Sequence, residues 1–166
     1  MEKIDNDPQN PVLSKYDKLV ESIQEYAEQQ GDFLKLGSDT LRQYIEWIEH
    51  YTMDKNIDTL WVLAMIWQES RFNAAAVSSH GAIGLMQIMP RTGAAMGYTP
   101  DQLQDAEMNI AAGTFYLYSL LQKYEILRMA IIAYNQGSGN IQRGTYNTRY
   151  YEDVLRHHTR LSSKGR

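Results

Sequence analysis

At 166 residues the chain fits one domain, given the usual roughly 100–200 residues apiece, and is long enough to bury a real core. Its 43% hydrophobic and 22% charged residues exclude the disordered, collagenous and coiled-coil classes, and a formal net charge of −4 argues against a dedicated nucleic-acid binder, whose affinity comes from neutralising phosphates. The absence of cysteine removes disulfides, thiolate zinc sites and thiol nucleophiles, and no apolar run approaches the roughly 18 residues that cross a bilayer.

Residues 1–13, polar and holding Pro8 and Pro11, read as a mobile lead-in. The opening MEKIDNDPQNP has neither a basic nor an apolar leader region, so the expectation is a signal already removed or another export route. From Ser14, as N-cap, the positions Tyr16, Leu19, Val20, Ile23, Tyr26 and Ala27 recur at helical spacing and predict an amphipathic helix ending near Gly31. Ser38 or Asp39 caps a second, with Leu41, Tyr44, Ile45, Ile48 and Tyr51 on one stripe. A third starts at Asp58; residues 60–67 (LWVLAMIW) are apolar on every side, which fits a buried strand or a helix surrounded by protein, and Asp58 as cap with the continuation through Gln68-Glu69-Ser70-Arg71 favours the central core helix.

Small and polar residues 73–84 predict a loop freed by Gly81 and Gly84, and Pro90 closes the apolar segment after it. Helices are predicted over 105–124, over 126–134 with Gly137-Ser138-Gly139 as the stop, and over 148–161. No alternating strand or repeat is visible, so the expected fold is an all-α single domain with at most a minor β element.

The residue that draws attention is Glu69, a lone carboxylate at the end of the core helix. Desolvation there would raise its pKa toward the range useful to a general acid, whereas an exposed helix-end glutamate would do nothing. The pattern leaves both open.

Three landmarks in register decide more: Glu69-Ser70, Gly84-Leu85-Met86-Gln87 and Ala133-Tyr134-Asn135, joined by the stretch DAEMNI at 105–110 and by Gly113. In these the chain resembles the soluble lytic transglycosylase domain family, related to goose-type lysozymes, over roughly residues 57–155. The resemblance implies a lysozyme-like domain at 57–161, behind an N-terminal helical region at 14–56 and before a tail at 162–166. It implies cleavage of the β-1,4 bond between N-acetylmuramic acid and N-acetylglucosamine in peptidoglycan, leaving 1,6-anhydromuramoyl ends. Glu69 is then acid and base in turn, and Tyr134 the phenol that hydrogen-bonds it. Asn135 braces the same corner, Gln87 reads sugar hydroxyl and acetamido groups, Ser78 and Met89 line the cleft, and Gly84 lets the backbone approach the ligand. Ser70 is left with two readings, a substrate contact or a backbone tie, and Met86 reads as packing.

Ordinary glycosidases use two carboxylates, yet residues 71–99 hold no Asp or Glu, so a one-carboxylate mechanism assisted by the substrate's own N-acetyl group fits better. A hydrolytic goose-lysozyme-like enzyme and a non-catalytic peptidoglycan-binding or assembly module are the alternatives left open.

Many family members carry Glu-Thr-Arg before the last helix, with the Glu linked to stem-peptide contact; here it is Asn147-Thr148-Arg149, which puts peptide recognition in question. His50, His80, His157 and His158 lack metal-ligand spacing and read as structural or solvent residues, so neither metal nor cofactor is expected. No phosphate loop occurs, and the basic last helix reads as a solvated face. The expected partner is the glycan strand, with residues 14–56 free to meet a secretion-machine, wall-remodelling or phage-assembly partner. The setting would be the periplasm or cell envelope, or a phage particle.

Overall fold

The computed structural model describes residues 11–32, 34 and 36–164. Among these run nine helices: α1 (Pro11–Gln29), α2 (Ser38–Thr52), α3 (Thr59–Ser70), α4 (Pro90–Ala95), α5 (Pro100–Gln104), α6 (Ala106–Tyr124), α7 (Leu127–Gln136), α8 (Ser138–Arg143) and α9 (Arg149–Lys164). The all-α expectation holds. The minor β element amounts to isolated antiparallel bridges, Val77 with Ile83 and Ile83 with Ile88, which pinch the loop between α3 and α4.

The central helix is where its sequence puts it. Asp58 caps α3 by accepting from the Leu60 N–H at 2.8 Å, and every side chain from Val62 to Trp67 is buried. α2 and α9 pack along it, and α6 lies against α2 and α7. α3 ends at Arg71, whose φ of 50° turns the chain left-handed while its N–H still reaches the Trp67 carbonyl at 3.0 Å. Phe72 follows at φ 61°. Two consecutive non-glycine residues in this region cost energy that the surroundings must offset. Phe72 does so by full burial against Trp67, and Arg71 by lying over the Trp67 ring and pairing with Asp32 at 3.2 Å.

Several expectations need correcting. α1 begins at Pro11, so residues 11–13 are helical rather than lead-in, with proline in the first turn where its missing N–H costs nothing. The rest of the lead-in, 1–10, lies outside the described residues. The N-cap of α2 is Gly37, and Ser38 and Asp39 sit inside its first turn. Pro90, where the apolar segment ends, also opens the unexpected helix α4, and Pro100 opens α5 behind a Thr99–Gln102 capping box, a Thr-x-x-Gln signal that was present in the sequence. The glycine stop at 137–139 is a corner: Gly137 (φ 79°) ends α7 and α8 starts at the next residue. Residues 162–164 of the expected tail extend α9, and 165–166 lie outside the described residues.

The N-terminal helical region shares the core of the rest. Val20, Ile23, Tyr26 and Ala27 from α1, with Leu41, Ile45 and Ile48 from α2, belong to one buried cluster with Leu63, Met65 and Ile66. A buried polar line crosses this packing: the Tyr26 hydroxyl meets His157 Nδ1 at 2.6 Å, and His157 Nε2 meets Gln68 Oε1 at 2.6 Å. Gln68 Oε1 can only accept, so Nε2 carries the proton and Nδ1 accepts from Tyr26. Burial, with Arg156 as a lesser cause, pushes the imidazole pKa down to about 4 and keeps it neutral.

The loop between α3 and α4 is fixed by Asn109 of α6. Its buried amide accepts from the Met86 N–H (2.8 Å) and donates to the carbonyls of Ile83 and Leu103 (2.8 Å each). Met86 in turn fills the space that Gly113 leaves open, since a Cβ there would collide with the methionine side chain. Asn109→Leu keeps the volume roughly but orphans three backbone groups, and each buried unpaired group costs about 1–3 kcal/mol. The expected loss in urea unfolding is about 3 kcal/mol or more; a change under about 0.5 kcal/mol would show that the loop does not depend on this amide.

Candidate active site

Glu69 sits one residue from the end of α3, where the helix leaves the core, and its side chain is only partly exposed. Burial pushes its carboxyl up to about 7, against an opposing pull from the Tyr150 hydroxyl, which donates to Oε1 at 2.6 Å. Of the two readings open to Glu69, the desolvated acid is the one that fits. No neighbouring carboxylate contributes to the shift. A carboxyl poised between its protonated and ionised forms near neutral pH, held by a single phenol, is suited to giving a proton and taking one back.

The phenol on Glu69 comes from α9, and this corrects the expectation for Tyr134. Tyr134, buried on α7, donates to the Met86 carbonyl at 2.7 Å and thus ties α7 to the loop. It still faces Glu69, whose charge raises the already elevated tyrosine pKa. Burial likewise holds Tyr150 well above the usual tyrosine range, so it stays a donor at any working pH.

Most of the other expected residues are committed to the loop. Ser70 donates to the Leu85 carbonyl at 2.8 Å, with the Ile66 carbonyl at 3.2 Å, so its backbone-tie reading holds and the hydroxyl is not free to donate to sugar. Gln87, at φ 49°, donates from Nε2 to the carbonyls of Ala76 (3.1 Å) and Gly84 (2.9 Å), which leaves Oε1 as the end that can meet a ligand. Exposed Ser78 closes its own turn by accepting from the Ala82 N–H at 3.0 Å. Gly84 (φ 78°) is needed for a different close approach from the one expected: a Cβ there would collide with the Asn109 side chain, not with a ligand. Met86 is wholly buried, as its packing reading required.

Met89 and Asn135 are exposed, and they line a pocket of about 270 Å³ together with Gln87, Tyr116, Tyr134 and Gln136. A larger groove of about 1090 Å³ lies at the opposite end of α3, lined by residues such as Lys18, Met53, Asp58 and His158, and holds none of these groups. Asn109, Tyr116, Gln136 and Tyr150 are the residues that sequence reasoning missed. Only Asn109 carried a signal, as the amide in the stretch that the resemblance had already marked.

The histidines are dispersed. His157 points inward, His158 lies flat on Trp61 with ring centres 3.9 Å apart, His50 meets Tyr51 edge-on, and exposed His80 contacts Ser79. Among the described residues no group of three or more His, Cys, Asp or Glu gathers as a metal site, and no helix is long and apolar enough to cross a membrane.

Comparison with known proteins bears on this geometry. The chain is 38% identical over 108 residues to the soluble lytic murein transglycosylase of Escherichia coli K12, covering 60% of this chain and 17% of that protein. It is 31% identical over 114 residues to the transglycosylase of enterobacteria phage PRD1, covering 69% of this chain and 42% of that one. Its fold superimposes on the crystal structure of the 70 kDa soluble lytic transglycosylase of E. coli with a TM-score of 0.58 at 26% identity, over 92% of this chain and 27% of that chain. The chain thus spans about a sixth of the length of the E. coli enzyme, and its architecture is lysozyme-like. Residues 46–154, well over half of the sequence and including Glu69, Asn109, Tyr134 and Tyr150, match the pattern described as the transglycosylase SLT domain, and the chain belongs to that family.

Proposed function

We propose that this chain is a peptidoglycan lytic transglycosylase domain in which Glu69 acts first as acid and then as base. The observation that carries the reading is a single desolvated carboxyl, poised near pH 7 and held by one phenol, with no second carboxylate acting on it. The protonated Glu69 gives its proton to the glycosidic oxygen as the bond from muramic acid C1 to that oxygen breaks. The substrate's N-acetyl carbonyl oxygen takes up the bond at C1. Glu69, now a carboxylate, removes the proton of the 6-hydroxyl as O6 closes on C1 and displaces the acetamido oxygen, whose bond to C1 breaks and restores the N-acetyl group, and the acid is regenerated with no water consumed. Gln87 Oε1, Met89 and Asn135 are assigned to the sugar-binding wall, with Ser78 at its edge, while Ser70, Gly84 and Tyr134 hold that wall in place.

The substrate sets the location: the bacterial envelope, or a phage particle that must breach it. The exposed faces of α1 and α2 remain available to a secretion, remodelling or phage-assembly partner. Asn147 Oδ1 accepts from the Arg149 N–H at 3.1 Å, so the residue that replaces the family's glutamate serves the start of α9, which favours recognition of glycan without a charged contact to stem peptide.

Digesting purified peptidoglycan and analysing the released muropeptides by mass spectrometry, before and after borohydride reduction, tests the chemistry. Non-reducible anhydro ends are expected, and Glu69→Gln should lower their release by about 10²–10⁴-fold, the usual scale of general acid–base catalysis. Reducible ends would make the domain a hydrolase, and binding without release a non-catalytic module.

Because the protonated form of Glu69 begins the reaction, kcat/KM should fall as pH rises through about 7. The Tyr150 hydrogen bond lowers that pKa, so Tyr150→Phe should move the alkaline limb upward, by about one pH unit. A limb that stays put or moves down would remove Tyr150 from the site.

The same burial costs stability. Glu69 titrates at about 4.5 when unfolded and about 7 when folded, so the folded chain holds the extra proton between those values and stability declines as pH rises across that window. Glu69→Gln should therefore match the wild type in urea unfolding at pH 4 and exceed it at pH 8 by roughly 2 kcal/mol, discounted for the part that solvent still reaches. Equal stability at both pH values would mean that the carboxyl is not desolvated.

A further inference from the structure

The Tyr150–Glu69 contact depends on where α9 begins, and the five residues before α9, 144–148, have no helix of their own. Gln136, the last residue of α7, fixes them. Its side-chain amide pairs with the main chain of Asn147 in both senses: Nε2 donates to the Asn147 carbonyl at 2.6 Å, and Oε1 accepts from the Asn147 N–H at 2.9 Å. The Gln136 main-chain carbonyl accepts from Asn140 Nδ2 at 2.8 Å, which holds α8 to the same point. From Asn147 the register passes on directly. Its Oδ1 accepts from the Arg149 N–H, Thr148 Oγ1 donates to Glu152 at 2.9 Å, and Tyr150 stands in the first turn against Glu69.

We propose that Gln136 is a positioning residue of the active site: by clamping Asn147 it sets where the Tyr150 hydroxyl meets Glu69, and so locks the α9 wall of the cleft to the α7 wall that carries Tyr134. An amide gripping main-chain N–H and C=O together resists both sliding and tilting, which a single hydrogen bond does not. Gln136 also lines the pocket beside Tyr134, together with Gln87 and Asn135. The ionisable groups that face Glu69 are Tyr150 from α9 and Tyr134 from α7, and no cation contributes to its shift. Of these two only Tyr150 hydrogen-bonds the carboxyl and stands on the segment that Gln136 clamps, so loosening the clamp acts on Glu69 through Tyr150. The proposal rests on the reading of Glu69 as the acid only where turnover is measured.

The test is a ¹³C NMR titration of the Glu69 carboxyl, assigned by its loss in Glu69→Gln, across the wild type, Gln136→Met, Tyr150→Phe and the double variant. Gln136→Met keeps the length and helix preference of the side chain while removing both bonds; Gln136→Ala is a second variant should the first fold poorly. Either change at Gln136 should raise the Glu69 pKa, and in the Tyr150→Phe background the same change should add nothing, because both act through one contact. On peptidoglycan, kcat should drop about three- to tenfold with the alkaline limb moved upward, the scale expected when a reacting group is misplaced without being removed. An unchanged or lowered Glu69 pKa, or a rise that adds in full to that of Tyr150→Phe, overturns the proposal. A wild-type chain that releases no muropeptides would sink the functional reading and leave the titration to decide this one.

Discussion

Two backbone groups of a loop with almost no regular structure, and one of α5, converge on one buried amide, that of Asn109, and the shape of the cleft follows from it. Asn109 takes the Met86 N–H and gives to the carbonyls of Ile83 and Leu103. Other helices attach to the same few residues: Ser70 of α3 reaches the Leu85 carbonyl and Tyr134 of α7 the Met86 carbonyl. A buried polar group without a partner is costly, so the amide and the loop require each other. Gly84 and Gly113 complete the constraint by absence of side chain, one against Asn109 and the other against Met86. The wall that carries Gln87 and Met89 is thus pinned from three helices.

The region around Glu69 is built from arrangements that each cost energy locally. Arg71, Phe72 and Gln87 hold left-handed backbone without being glycine, and Glu69 is kept largely from solvent. These features persist because the core over-determines them: α3 is buried along two turns, Phe72 is sealed under Trp67, and Tyr150 takes up one carboxyl oxygen. The design concentrates strain where chemistry needs a poised acid and lets the apolar packing of α2, α3, α6 and α9 offset it.

Much of this was legible in the sequence, and the limits have physical reasons. The all-apolar stretch ahead of Glu69 fits a buried strand as well as a buried helix, and Asp58 as cap with the continuation through residues 68–71 is what favours the helix. Short helices such as α4, α5 and α8 carry too few turns for periodicity, so only proline and capping signals could reveal them. Resemblance found Glu69 and the loop but gave the phenol to Tyr134, because the Tyr150–Glu69 pair is separated by 81 positions and nothing local distinguishes Tyr150 from Tyr151. What separates them is the helix face: Tyr150 is buried, while Tyr151 stacks toward Trp61 beneath Arg128. Gly84 was read toward a ligand and Ser70 toward either a ligand or the backbone, yet a compact loop must first satisfy its own main chain, and both serve that need.

The line from Tyr26 through His157 to Gln68 bears on what counts as the minimal unit. Tyr26 and His157 both fall outside residues 46–154, yet they terminate on the side chain next to Glu69. A fragment trimmed to the family boundaries would strip α1 from Trp67, leave the end of α3 open to water, and strand Gln68 without its imidazole. The family pattern marks what recurs in sequence; the cooperative unit is larger, and α1 is the buttress that lets the helix bearing Glu69 end where it does.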